Sequence, residues 1–182
     1  MQESGPSQRA AEETEELFAE CRDSLVRYLR YHGNDHQEAE DIAQESFIRY
    51  FEARIGKEKI LQPRAWLFRV ARNLMIDQGR KKRPDLLDEQ GWIRAEGRMA
   101  TPPSQTDERI YISQLPWHKL SPTELGCMRL RTEGLKLREI GEVLELSISS
   151  VVSYLARATK KLGKIESADD NPSKHGRTAA PV

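Results

Sequence analysis

A chain of 182 residues with 37% hydrophobic and 32% charged residues suits one or two small helical units with extensive surface, and a single large core is not expected. Its net charge of zero conceals a segregation: residues 1–52 carry thirteen acids against five bases, whereas residues 64–83 carry seven bases and one acid, Asp77, so whole-chain charge says little about partners. No apolar run approaches the roughly 18 residues that span a bilayer, and the acidic N-terminus lacks the regions of a signal peptide, which points to a cytoplasmic protein.

Residues 1–12 are polar and are expected to be disordered. From Thr14 the pattern turns helical, with Leu17, Phe18, Cys21, Leu25, Tyr28 and Leu29 on one side and an end near Gly33. His32 and His36 are four apart, but Gly33 interrupts the segment, so they read as solvated surface histidines rather than a metal pair. Cys21 and Cys127 are isolated and are expected to be buried thiols, not a disulfide or metal site. Asp35 then opens a second helix whose core stripe is Ala39, Ile42, Ala43, Phe47 and Tyr50. Asp41, Gln44, Glu45, Ile48 and Glu52 fall on another side. This acidic strip with an isoleucine in it is either a solvated face or a docking surface for a basic partner.

Pro63 suits the first turn of a third helix, PRAWLFRVARNLMIDQGRKKR. Leu67, Val70, Ala71 and Leu74 are expected to pack inward. A second face gathers Arg69, Arg72, Asn73, Ile76 and Arg80, preceded by Arg64 and Trp66 and extended by Lys81, Lys82 and Arg83. Cations interleaved with an aromatic suit nucleic acid, because the charges neutralise phosphates and a ring or apolar notch takes an unstacked base. Residues 84–109 mix acids, glycines and Pro102-Pro103 without a period and read as a linker.

Helical pattern returns at Arg109–Ile112. Ser121-Pro122-Thr123-Glu124 forms a capping box with proline at the first helical position, and Gly134 closes the helix it starts. The segment LKLREIGEVLELSISSVVSYLARATKKL follows. Ile140, Val143 and Leu144 make one apolar stripe; Ile148, Val151, Leu155, Ala158 and Leu162 make a second, after a turn of three residues. Ser147 caps the second helix. Two short helices about a tight turn form the helix-turn-helix pattern, whose second helix enters the DNA major groove. Ser149, Ser150, Ser153, Arg157 and Lys160 lie opposite the stripe, with Lys161 beside them at a basic end. An ordinary antiparallel helical hairpin is the plainer alternative. Residues 166–182 have almost nothing to bury and are expected to be disordered.

These motifs, in this order, resemble a small sigma factor of the extracytoplasmic-function group, the initiation subunits of bacterial RNA polymerase. AEDIAQESFIRYF resembles the family's core-binding helix, PRAWLFRVARNLMIDQGRKK the segment that recognises and melts the promoter −10 element, and LKLREIGEVLELSISSVVSYLARATKKL the −35-binding helix-turn-helix. The implied architecture is all-α: two small helical domains, a region 2-like unit over 13–83 and a region 4-like helix-turn-helix unit over 110–165, joined by a flexible linker. The resemblance further implies that Asp41, Gln44, Glu45 and Ile48 grip core polymerase. It places Arg64, Trp66, Arg69, Arg72, Asn73, Arg80, Lys81, Lys82 and Arg83 along −10 DNA. It places Arg138, Ser149, Ser150, Val152, Ser153, Arg157, Lys160 and Lys161 at the −35 element. The family usually carries Lys or Arg where Val152 stands, Arg where Tyr154 stands and Gly where Glu145 stands. The first two departures remove cationic contacts and leave Val152 the option of a thymine methyl; the third implies either a turn without positive φ or strain.

Core RNA polymerase and promoter DNA are the implied partners; an anti-sigma protein is a common companion of the family, though no residue of this chain points to one. No cofactor is expected, and no nucleophile–base pair, metal cluster or phosphate-cradling loop is evident, so a non-enzymatic role is expected. LSPTELGCMRLRTEGLKLREI also resembles the LuxR-type DNA-binding domain, a related helix-turn-helix, and residues 110–164 alone do not separate the two. A stand-alone helix-turn-helix regulator is therefore the competing reading, but it leaves the acidic and basic helices unexplained.

Overall fold

The computed structural model describes residues 5–82 and 117–163. Among them the chain forms six α-helices and one short 3-10 turn: α1 (Pro6–Tyr31), α2 (His36–Ile55), α3 (Pro63–Lys82), the turn Trp117–Lys119, α4 (Pro122–Thr132), α5 (Leu137–Leu144) and α6 (Ile148–Gly163). The expected linker 84–109, the onset of pattern at 109–112 and the tail 166–182 lie outside the described residues. No described helix is long and apolar enough to cross a membrane.

Local chemistry sets the helix starts. Asp35 accepts the Glu38 N–H at 2.8 Å while the Glu38 carboxylate accepts the Asp35 N–H at 3.2 Å. Ser121 and Glu124 repeat this reciprocal cap at the start of α4. Helix α1 begins earlier than the sequence suggested, at Pro6 instead of near Thr14. Proline suits its first turn, Ala10 is buried, and Glu13 pairs with Arg54 of α2, so tertiary contacts extend a segment whose own composition is polar. That pairing holds the Glu13 carboxyl below its ordinary range, chiefly through the hydrogen bond from Arg54.

Helices α1–α3 pack around Leu25, Tyr28, Leu29, Ile42, Leu67, Phe68 and Met75, and the same cluster continues through Leu130, Leu135, Ile140, Val143 and Val151. The C-terminal helices thus pack on the first three: α5 lies along α3 more extensively than on α6. A smaller cluster of Leu120, Leu125, Ala158 and Leu162 belongs to the C-terminal unit alone. Ile76, expected on the basic face of α3, is buried. Cys21 and Cys127 are free and fully buried, and burial pushes each thiol up to about 11.

His32 corrects another expectation. It is 4% exposed, not solvated, and its ring lies 4.3 Å from Tyr28 while Nδ1 donates to the Tyr28 carbonyl at 2.7 Å. Burial, then the charge of Arg129, lowers its pKa to about 3, with Arg72 adding to the effect. The unfolded chain therefore takes up a proton below about pH 6.5 that the folded chain refuses, so stability falls with pH from there toward 3. Urea denaturation should show about 2 kcal/mol lost by pH 5 relative to pH 7. In His32→Asn, whose amide can still donate to the Tyr28 carbonyl, that part of the loss should vanish.

Candidate nucleic-acid and polymerase interface

Helix α2 turns Ala39, Ile42, Ala43, Phe47 and Tyr50 into the core. Successive residues of a helix advance by 100°, so Asp41, Gln44, Glu45 and Ile48 must face away from it. They do: Ile48 is 53% exposed, flanked by Asp41, which accepts from Gln37 at 2.8 Å, and Glu45, which pairs with Arg49 at 2.8 Å. The result is a solvent-facing apolar residue on a predominantly acidic strip.

On α3 the residues expected along DNA are not equally placed. Asn73, Arg80 and Lys81 are exposed, with Arg80 3.9 Å from Asp77. Arg69 is partly exposed and lies 3.9 Å from Glu142 of α5, while Arg72 is half-buried. Arg64 differs most from expectation: its guanidinium donates to the Glu133 carbonyl at 2.6 Å and lies against the α4–α5 turn. Trp66 packs edge-on to Tyr50 at 5.7 Å, as part of the core margin and not as an open platform. Lys82 ends the helix, and Arg83 lies outside the described residues.

Glu133 is the residue that sequence reading missed. Its side chain is 3% exposed and accepts from Arg27 Nε at 3.1 Å and Nη2 at 2.9 Å. With Arg64 on its carbonyl, it fastens the turn after α4 to both α1 and α3 at once. Partners 106 and 69 positions away leave no periodic trace, and a glutamate before Gly134 reads as an ordinary helix end.

In the C-terminal unit, α5 and α6 meet at a turn whose hinge is Glu145, at φ 56° and ψ 40°. Of the two alternatives open from sequence, the left-handed one with its strain is found. Glu145→Gly should relieve about 1 kcal/mol and raise the melting temperature by a few degrees. Ser147 accepts the Ser150 N–H at 3.1 Å, as expected of the cap. Ser149, Val152, Ser153, Arg157 and Lys160 are exposed, Ser150 partly so, and Arg138 is exposed on α5. Lys161 is not free: it binds Glu124 at 2.5 Å. Burial raises the Glu124 pKa, but the hydrogen bonds from Lys161 and Ser121 outweigh it and hold the carboxyl below its ordinary range. Ile148, expected in the apolar stripe, is 45% exposed, because Val151 takes the place against α5.

Residues 17–84 match the model of sigma-70 region 2, and residues 118–167 match that of the bacterial regulatory proteins of the luxR family. The RNA polymerase sigma factor SigW of Bacillus subtilis, of the extracytoplasmic-function class, is 33% identical over 144 residues, covering 72% of this chain and 76% of that protein. The chain belongs to the extracytoplasmic-function sigma factors. SigM of the same organism is 25% identical over 154 residues, covering 81% of this chain and 91% of its own. A solved complex of the sigma factor RpoE with the anti-sigma factor NepR from Bartonella quintana has a TM-score of 0.59 at 21% identity, covering 85% of this chain and 96% of that one, a likeness of fold.

As a sigma factor the chain binds core RNA polymerase and directs promoter-specific initiation of transcription. The luxR-type match covers only the helix-turn-helix half, so it describes the DNA-binding unit and not the whole protein. The helical architecture, with a helix-turn-helix at the C-terminal end, agrees with the all-α expectation.

Proposed function

We propose that this sigma factor divides its work among three surfaces. Asp41, Gln44, Glu45 and Ile48 of α2 hold core polymerase. Asn73, Arg80 and Lys81, with Arg69 and Arg72 behind them, follow −10 DNA and hold its melted strand. Arg138 and the outer face of α6 engage the −35 element. The observation that carries this reading is the exposure of Ile48 on an acidic strip while every other large apolar residue of that helix from Ile42 to Tyr50 is buried. An exposed anchor of that kind suits a partner surface.

Residues 13–83 and 110–165 act as the two DNA-binding modules, joined through 84–109. Separate modules on a tether gain effective concentration at paired elements. The two elements are separated by roughly 80 Å of duplex at 3.4 Å per base pair, whereas a compact body of this size has a radius of gyration of roughly 14 Å. The contacts of Arg64 and Arg27 with Glu133 must therefore part before both elements are engaged, and Arg64 and Arg69 then become available to DNA. The protein acts in the cytoplasm, where the polymerase is, and performs no chemistry of its own; polymerisation belongs to its partner. An anti-sigma protein is a further candidate partner, supported by the fold likeness to a sigma factor solved with one.

Replacing Asn73, Arg80 and Lys81 together with Ala tests the −10 assignment without disturbing the packed face of α3. Core polymerase should be bound as before, and permanganate reactivity of −10 thymines should fall at least tenfold. Unchanged reactivity would refute the assignment.

A further inference from the structure

We propose that α6 reads its DNA element through thymine 5-methyl groups, with Val152 and Ile148 as the specificity-determining contacts. This rests on the reading of α6 as the groove-entering helix and names the bases it prefers.

The major groove distinguishes base pairs by a small set of side-chain partners: Arg or Lys for guanine, Asn or Gln for adenine, Asp or Glu for cytosine, and apolar groups for the thymine methyl. The first two turns of α6, Ile148–Leu155, are ISSVVSYL and contain none of the polar bidentate readers. Arg157, the first charged residue of the helix, is folded back along it: its guanidinium carbon lies 4.6 Å from the Tyr154 ring centroid, and its Nε donates to the Ser153 carbonyl at 3.3 Å. The hydroxyls are also engaged locally. Ser147 lies 2.9 Å from Ser149 and 2.8 Å from Ser150, Oγ to Oγ, and Ser153 donates to the Ser149 carbonyl at 2.9 Å.

What remains outward is apolar and small. Ile148 and Val152, one turn apart on one face, are 45% and 46% exposed, and Ser149, Ser153 and Ala156 beside them are exposed too. Small side chains let the helix backbone approach the base edges closely, and the two branched side chains then meet methyl groups, which only thymine presents in that groove. The turn geometry supports this placement, because Val151 fills the contact with α5 and so turns its neighbours Ile148 and Val152 outward.

The test uses holoenzyme reconstituted from the full chain and core polymerase. Duplexes are selected from a pool randomised across the upstream element, and thymines of the selected duplexes are then replaced by deoxyuridine, which removes only the methyl. Thymine should be enriched at neighbouring positions, and each contacted thymine should lose about fourfold in affinity on replacement, the equivalent of about 0.8 kcal/mol for one buried methyl. Ile148→Ala/Val152→Ala should abolish that sensitivity, and Val152→Arg should move the preference at one position to guanine. Thymine-free selected elements, equal binding of uracil duplexes, or undiminished uracil sensitivity in the double variant would overturn the methyl reading while leaving the sigma assignment intact. If holoenzyme enriches nothing beyond what core polymerase alone enriches, the DNA-binding reading falls, and this inference with it.

Discussion

Ile48→Asp is expected to weaken binding of core polymerase about thirtyfold or more, the effect of losing an interfacial anchor worth about 2 kcal/mol. The side chain is 53% exposed and faces away from the α1–α2–α3 core, so the substitution removes no core contact of the folded chain. Circular dichroism and the melting temperature should therefore stay close to those of the parent protein. The loss arises at the interface, where a carboxylate replaces an apolar group and must be desolvated without a partner shaped for it. Equal retention of polymerase by the two proteins in a pull-down would remove α2 from the docking role.

Gly141→Ala should destabilise the helix-turn-helix by about 2 kcal/mol. A methyl at this position would lie 2.7 Å from the Leu146 carbonyl oxygen. That atom is backbone, and it is held close because the Leu146 N–H donates to the Gly141 carbonyl at 2.8 Å. Forcing the turn apart costs on the order of 3 kcal/mol, whereas alanine in a helix returns only about 1 kcal/mol of propensity, so the clash wins. The angle between α5 and α6 would also open, which removes −35 binding even in the molecules that remain folded. Chemical denaturation and upstream-element binding by the holoenzyme check the two effects separately. A variant as stable as the parent would show that the turn adapts.

The helix caps at Asp35 and Ser121, the buried stripe of α2 and the helix-turn-helix were legible because each is written within one or two helical turns. Side chains three or four apart share a face, and a serine or aspartate followed by glutamate marks a start. The junction between the modules was not legible. Ile76 is buried although its spacing places it on the basic face, and Arg64 and Glu133 meet partners on helices distant in sequence, which no local pattern records. Arg64 and Lys161 show the general difficulty: a cation's partner depends on which carbonyl or carboxylate the fold brings to it. Ile148 was misplaced for a smaller reason, since both Ile148 and Val151 satisfy the helical spacing and only the position of α5 chooses between them. His32 looked solvated beside Gly33, but α1 ends inside the packed region and the ring is covered.

The most direct test of the division of labour is transcription in vitro from a library of genomic fragments, with core polymerase in the presence and absence of this chain. Addition of the chain should produce a new set of transcripts whose start sites share two upstream elements at constant spacing, and Ile48→Asp should produce far fewer of them. Transcripts identical with and without the chain would contradict the account.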